Sequence, residues 1–149
     1  MGQDGPIRLD AATIDAIRDL YDDLQIDGRV LDLGGAGMEH FNVPPDELTV
    51  DDAGTNRPDD SFDDVVFFGL PDDPELFAEV ARVLAPSGRF VVTFTNQHAP
   101  DTAAQVRRLR KRFAAAPGFG PAESDLRTSL TGAGDQLWAV WATRAGPAS

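Results

Sequence analysis

The segment 61–96, SFDDVVFFGLPDDPELFAEVARVLAPSGRFVVTFTN, decides the fold. Its two apolar runs, VVFF at 65–68 and RFVVTFT at 89–95, are typical of strands covered on both faces. Asp73 and Pro74 indicate a helix start, because aspartate caps helices and proline suits the first turn. Apolar residues then recur at helical spacing, and APSG at 85–88 predicts a turn before the second strand. Two strands joined through a helix predict parallel strands with a right-handed crossover.

The same alternation extends towards the N-terminus. Asp10 is a candidate cap for a helix whose apolar stripe consists of Ile14, Ile17, Leu20, Tyr21 and Leu24. RVLDL at 29–33 then predicts a buried strand, and LTV at 48–50 predicts a second short strand. Pro44 and Pro45 leave room for at most a turn or two of helix between these strands.

Beyond residue 96 the pattern changes. Asp101 is a candidate cap for a helix with Val106, Leu109 and Phe113 facing inward. DLRTSL at 125–130 and QLWAVWATR at 136–144, joined by TGAGD, then predict a β-hairpin. Trp138 and Trp141 are three positions apart, so they should lie on opposite faces of the sheet. We therefore predict an α/β fold with a mostly parallel sheet and a C-terminal antiparallel hairpin.

Composition limits the kinds of function. The 149 residues suit a single domain, predicted to span 1–149 with an ordered core over about 10–144. The chain has no cysteine, and His40 and His98 are its only histidines, so we predict no metal site. No apolar run is long enough to span a bilayer and the first residues lack the apolar core of a signal peptide, which predicts a cytoplasmic protein without membrane contact.

The chain is strongly acidic, with a net charge of −12 and a pI of about 4.3. Such a balance favours solubility and argues against nucleic acid as a partner. The run RRLRKR at 107–112 could bind phosphate, but a solvated helix face is the preferred interpretation.

Two stretches of the sequence resemble the class I S-adenosylmethionine-dependent methyltransferases. VLDLGGAG at 30–37 resembles their first motif, and segment 61–96 resembles the fourth strand, following helix and fifth strand of the small-molecule, "type 11" branch. The resemblance covers about residues 10–144. It implies a Rossmann-like three-layer sandwich, here reduced in size, with one strand and one or two helices missing. A nicotinamide dehydrogenase is the rival, but its Gly-x-Gly-x-x-Gly fingerprint lacks the third glycine here.

The resemblance implies S-adenosylmethionine as cofactor and assigns residues to it. Gly34, Gly35 and Gly37 would approach its methionine and ribose parts, and Asp32 would orient the turn and the cofactor's amino group. Asp51 would accept hydrogen bonds from the ribose hydroxyls. Phe68 and Gly69 would border the adenine or methionine side. Asp52 would be on the adenine side in an alternative alignment, in which its segment follows the third strand.

The sequence departs from the family pattern in two places. Ala36 and Met38 stand where the second and third glycines of the loop belong. The segment between Asp51 and Ser61 is too short for the usual helix, third strand and loop. Either LTV is the second strand and the third is missing, or segment 51–63 aligns after the third strand and the second is missing. One wall of the adenosine pocket is thin in both alignments.

No motif identifies a catalytic base. His98 and His40 are weak candidates that are also typical of solvated loops, and Tyr21 has the spacing of a core residue. Two functions remain open. One is methyl transfer to a small molecule, and the other is a silent or repurposed fold that serves as a binding or assembly module. An exposed edge on the shortened side of the sheet would favour a homodimer or a partner subunit there.

Overall fold

A computed structural model describes the chain in segments, which cover residues 11–26, 28–33, 45–50, 59–69, 71, 73–95, 101–116, 118–127 and 137–144. The elements in chain order are α1 (Ala11–Asp23), β1 (Arg29–Asp32), β2 (Glu47–Val50), β3 (Phe62–Phe68), α2 (Pro74–Val83), β4 (Leu84–Thr95), α3 (Thr102–Ala115), β5 (Glu123–Arg127) and β6 (Leu137–Thr143). Asp10, the predicted cap of the first helix, lies outside the described residues.

The strands form one six-stranded sheet in the order β2-β1-β3-β4-β6-β5. The first four strands pair in parallel, and β6 pairs antiparallel with both β4 and β5. This confirms the predicted parallel sheet with an antiparallel hairpin at its end. β2 lies directly beside β1, where a doubly wound sheet has its second strand. β2 is the edge strand on that side, and no further strand pairs with it in the described segments. Of the two strands that could be missing, the described segments therefore lack the third strand, which would lie beyond β2, and retain the second.

The helices lie on both faces of the sheet, which makes three layers. α1 packs on one face over Val30, Val66 and Val91, while α2 and α3 cover the other face over Phe90 and Val92. The predicted inward residues of α3, Val106, Leu109 and Phe113, are buried. Trp138 packs on the α2–α3 side and Trp141 on the α1 side, as their spacing predicts.

The predicted turn at 85–88 is wrong, because β4 already begins at Leu84. Phe62 pairs with Leu84 but Asp64 pairs with Arg89, so the residues between Leu84 and Arg89 bulge out of the ladder. Ser87 adopts a φ of +72°, and a Cβ on Gly88 would lie 2.7 Å from the backbone oxygen of Asp63. Residues typical of a turn are here used for a bulge inside a strand.

The start of α2 follows the prediction. The Asp73 side chain accepts a hydrogen bond from the Glu75 backbone N–H at 2.9 Å, and Pro74 occupies the first turn. Replacing Asp73 with alanine should lower the free energy of unfolding by about 1 kcal/mol, because this N–H loses its acceptor. Urea unfolding followed by circular dichroism measures the change. Asp73→Asn retains an acceptor and should stay close to wild type, whereas equal losses in both variants would contradict a capping role.

Among the described residues, none of the helices combines the length and apolar character that crossing a membrane requires.

Candidate functional site

The carboxyl ends of the parallel strands meet at one edge of the sheet. Asp32, the last residue of β1, is in register with Val50 of β2 and Val66 of β3, and Phe68 of β3 lies opposite Thr93 of β4. The chain passes from β1 to β2 on one side and then to β3 on the other, so the winding reverses between β1 and β3. Open α/β sheets bind ligands outside the strand ends at such a switch point. We call this edge, between Asp32 and Phe68–Gly69, the strand-end crevice.

Asp32 is a buried carboxylate at the start of the predicted glycine turn. Only 2% of the residue is exposed. The backbone N–H of the following residue, Leu33, donates to the Val66 carbonyl at 2.8 Å, which extends the ladder one residue beyond the strand. Leu33 therefore lies at the switch point itself, and Gly34 follows it in the sequence.

Most of the predicted site residues lie outside the described part of the chain. They are Gly34, Gly35, Gly37, His40, Asp51, Asp52 and His98. The strands that lead to them are described, and Val50 is level with Asp32. The glycine turn and Asp51 therefore follow neighbouring strand ends at the same height, while the positions of their side chains stay predictions.

Phe68 and Gly69 end β3 at the same edge as Asp32. Phe68 is half-buried against the α1 side of the core. The Gly69 N–H donates to the Thr93 carbonyl at 2.8 Å, and its φ of +145° is open to glycine but strained for other residues. Glycine here lets the chain leave β3 sharply, so Asp32, Phe68 and Gly69 lie at the same edge of the sheet, while their contacts with a cofactor stay predictions.

Tyr21 lies beneath the crevice, in the core between α1 and the sheet. It is 2% exposed, and burial together with the nearby Asp32 charge raises the pKa of its phenol well above the usual range. A phenol held neutral in this way is a poor proton acceptor, which favours packing over catalysis for Tyr21.

Thr93 and Thr95 add two buried hydroxyls of β4 to this region. The Thr93 hydroxyl opposes the rise in the pKa of the Tyr21 phenol, yet its Oγ1 lacks hydrogen-bond geometry to any described residue. Neither threonine is among the site residues predicted from the sequence. Their signal is a pair of threonines two positions apart in the otherwise apolar run FVVTFT at 90–95.

A second group of acids lies at the opposite, amino-terminal edge of the sheet. Asp64 of β3 is buried and accepts a hydrogen bond from Arg89 Nε at 3.2 Å. Burial raises the pKa of the Asp64 carboxyl to about 6, although Arg89 opposes the shift. Asp63 is half exposed, and its bonds to the Arg29 side chain and backbone hold its pKa below the usual range.

These two acids border a cavity of about 300 Å³ whose wall includes Gln25, Ser87 and Gly88. The cavity is at the far ends of the strands from the strand-end crevice, so it forms no part of a site at the switch point. The described residues contain no group of three acidic or histidine side chains placed to hold a metal ion.

Neither the family models nor the curated protein sequences compared with this chain match it. Its fold, in contrast, is similar to many solved structures. One is the Burkholderia thailandensis 1,6-didemethyltoxoflavin-N1-methyltransferase with bound 1,6-didemethyltoxoflavin and S-adenosylhomocysteine. It is 18% identical with a TM-score of 0.55, over 91% of this chain and 79% of that one.

Two further structures show the same similarity. Geranyl diphosphate methyltransferase in complex with SAM is 14% identical with a TM-score of 0.61, over 89% of this chain and 86% of that one. A Haloferax volcanii protein solved in complex with the Trm112 methyltransferase activator is 15% identical with a TM-score of 0.57, over 89% and 93% of the two chains.

These similarities agree with the strand order, the switch point and the closing hairpin. Identities of 14–18% establish a common architecture and leave the chemistry to be argued from the site. The chain therefore has the Rossmann-like fold of the class I S-adenosylmethionine-dependent methyltransferases, in a reduced form.

Proposed function

We propose that this protein uses S-adenosylmethionine to methylate a small molecule, and that one domain over 1–149, with its core at about 10–144, carries the activity. One observation carries the proposal: β1 and β2 end level with each other at the switch point, at Asp32 and Val50. The glycine-rich sequence follows the first of these residues and Asp51 follows the second. The two segments expected to hold the cofactor thus start at one crevice.

The groups available at the crevice fit this cofactor. S-adenosylmethionine offers an ammonium group and two ribose hydroxyls as donors, and carboxylates are their natural acceptors. Asp32 would face the ammonium group and Asp51 the ribose, with Asp52 towards adenine. The turn at Gly34, Gly35 and Gly37 brings backbone N–H groups close without Cβ atoms in the way. Phe68 and Gly69 would border the bound molecule on the β3 side.

The bound cofactor supplies an electrophilic methyl group attached to a sulfonium. The chain's own contribution is to align this group with an acceptor atom and to exclude water, since in-line displacement depends strongly on positioning. Tyr21 is buried and neutral, so it holds the floor of the site without moving a proton. His98, after β4, and His40, in the turn region, remain the candidate bases where an acceptor needs one.

Titration calorimetry with S-adenosylmethionine and S-adenosylhomocysteine tests the proposal. We expect wild type to bind both with micromolar affinity. Asp51→Ala should weaken binding roughly tenfold to hundredfold, because hydrogen bonds to a charged acceptor contribute ~1.5–3 kcal/mol. Asp46→Ala is the matched control, because Asp46 precedes β2 at its amino end as Asp51 follows it at its carboxyl end. The control should bind like wild type.

The alternative function is a binding or assembly module with a silent site. It is favoured by the short connections on either side of β2, residues 33–46 and 51–61, which leave little chain to cover the adenosine part of the crevice. Failure of folded wild-type protein to bind either ligand at millimolar concentration would reject methyl transfer in favour of this alternative.

We further propose that a homodimer contact or a partner subunit covers the β2 side of the sheet, and that the protein acts in the cytoplasm. In the described residues β2 pairs with β1 alone, so its second edge has backbone groups open to pairing. The similar Haloferax volcanii protein was solved with an activator, which supports a partner of this kind. A purely monomeric mass by light scattering, together with unaltered β2 amide exchange in cell extract, would count against the proposal.

A further inference from the structure

The solvent face of α3 is a concentrated patch of positive charge on an acidic protein. Five of the thirteen cationic residues lie at positions 107–112, and α3 itself contains no acidic residue. Arg107, Arg108, Arg110 and Lys111 are exposed, because Val106, Leu109 and Phe113 turn the opposite side of the helix into the core. We call these four residues the α3 basic face.

Cations elsewhere in the described chain are mostly neutralised. Five of them have a carboxylate within salt-bridge distance, in the pairs Arg18–Asp15, Arg29–Asp63, Arg82–Asp59, Arg89–Asp64 and Arg144–Asp60. Arg107 and Lys111, in contrast, contact no hydrogen-bonding or ionic partner among the described residues, and Arg110 contacts only the Ser124 hydroxyl, at 3.2 Å. Arg107, Arg110 and Lys111 therefore keep their charges available to another molecule, whereas Arg108 already has an interaction partner.

The α3 basic face adjoins an edge of the sheet that no other described strand covers. Arg110 reaches β5 through Ser124, and β5 is the last strand on that side. Ser124 and Leu126 are opposite Val140 and Trp138, whose side chains belong to the α3 side of the core, so both point to that side. Leu126 is 40% exposed and is the one large apolar side chain of the described residues that is so exposed.

We propose that β5 and the α3 basic face bind an extended acidic segment of a partner protein. The segment would add a strand along β5, place an apolar side chain on Leu126 and direct its carboxylates at Arg107, Arg110 and Lys111. Guanidinium groups suit carboxylates because they donate in a planar fork. Nucleic acid fits less well, because it would use neither a strand edge nor Leu126, and the net charge of −12 repels it at longer range.

The test is an NMR titration of isotope-labelled full-length protein with a synthetic peptide of alternating glutamate and valine. The matched controls are a glutamine–valine peptide and a deoxythymidine oligonucleotide of equal length. We expect the acidic peptide to shift the amide signals of Glu123–Arg127 and the Nε signals of Arg107 and Arg110, and its affinity to fall at high salt. The double variant Arg107→Gln/Lys111→Gln should bind at least tenfold more weakly.

Variants separate this surface from general charge effects. Arg18→Gln removes one cation from α1, on the other side of the sheet, and should change the affinity less than twofold. Leu126→Ser should weaken binding of the acidic peptide while leaving the thermal unfolding midpoint in place, because Leu126 is exposed. Equal binding of both peptides, absence of shifts at β5, or tighter binding of the oligonucleotide would each overturn the proposal. None of these outcomes depends on whether the strand-end crevice binds a cofactor.

Discussion

Replacing Phe113 with alanine should lower the free energy of unfolding by about 3–5 kcal/mol. The ring is fully buried beneath α3 and meets Phe77 edge-on at a centroid distance of 5.1 Å and Phe119 at 5.2 Å. Phe90 lies on a third side at 5.6 Å. Truncation leaves a cavity among rings held by several elements, which cannot all move inward together. Urea unfolding followed by far-ultraviolet circular dichroism measures the loss.

Two further variants show whether the loss comes from this aromatic cluster. Phe113→Leu keeps most of the volume and should cost clearly less than the alanine change. Phe119→Ala removes a half-buried ring of the same cluster and should also cost less. If Phe113→Ala lowered the free energy of unfolding no more than Phe119→Ala does, α3 would not be anchored through Phe113.

Replacing Asp64 with asparagine should change how stability depends on pH. The folded pKa of about 6 is above the reference value of 3.8, so between these values the folded state holds a proton that the unfolded state has released. The stabilisation from Asp64 is therefore complete below the lower value and is lost as the pH rises through the folded pKa. About 2 kcal/mol of this stabilisation is lost between roughly pH 4 and pH 7, since one pKa unit corresponds to about 1.4 kcal/mol.

The measurement is the difference in unfolding free energy between wild type and Asp64→Asn across this range. Asparagine does not titrate, so the unfolding free energy of the variant should rise by about 2 kcal/mol relative to that of wild type as the pH rises from roughly 4 to 7. Asp63→Asn is the neighbouring control with the opposite sign. Its carboxyl has a lowered pKa, so wild type should lose the advantage of Asp63 as the pH falls. Parallel pH curves for wild type and Asp64→Asn would show that Asp64 is not desolvated in the folded protein.

The sequence predicted the elements whose local signals agree with their packing. The cap at Asp73, the proline after it and the apolar stripe of α2 all indicate the same helix, and this helix fixes the parallel βαβ unit. At APSG the local signal misled, because a bulge and a turn use the same residues. The bulge is distinguished from a turn only by the backbone hydrogen bonds that Ser87 and Gly88 form with Arg144, far along the chain.

Residues of the site were likewise predictable only where signals in the neighbouring sequence agree with the packing. Asp32 at the end of a buried strand was predictable from the strand and the glycines that follow it. The burial of Asp64 was not, because an aspartate near the start of a strand is usually solvated. Asp64 is enclosed by the bulge of β4 and by Arg89, and neither contact is visible in the residues next to it. The effect of Asp32 on the Tyr21 phenol likewise depends on how α1 lies across the sheet.

The position of β6 between β4 and β5 has a consequence for synthesis on the ribosome. β5 is translated before β6, but its only neighbour in the described sheet is β6, so it has no partner strand when it emerges. Until Leu137–Thr143 clears the exit tunnel, β4 also exposes a long apolar edge to other nascent chains. The nascent protein should therefore depend on chaperone cover late in translation, and a pause in the codons after β5 should increase aggregation more than the same pause before β3.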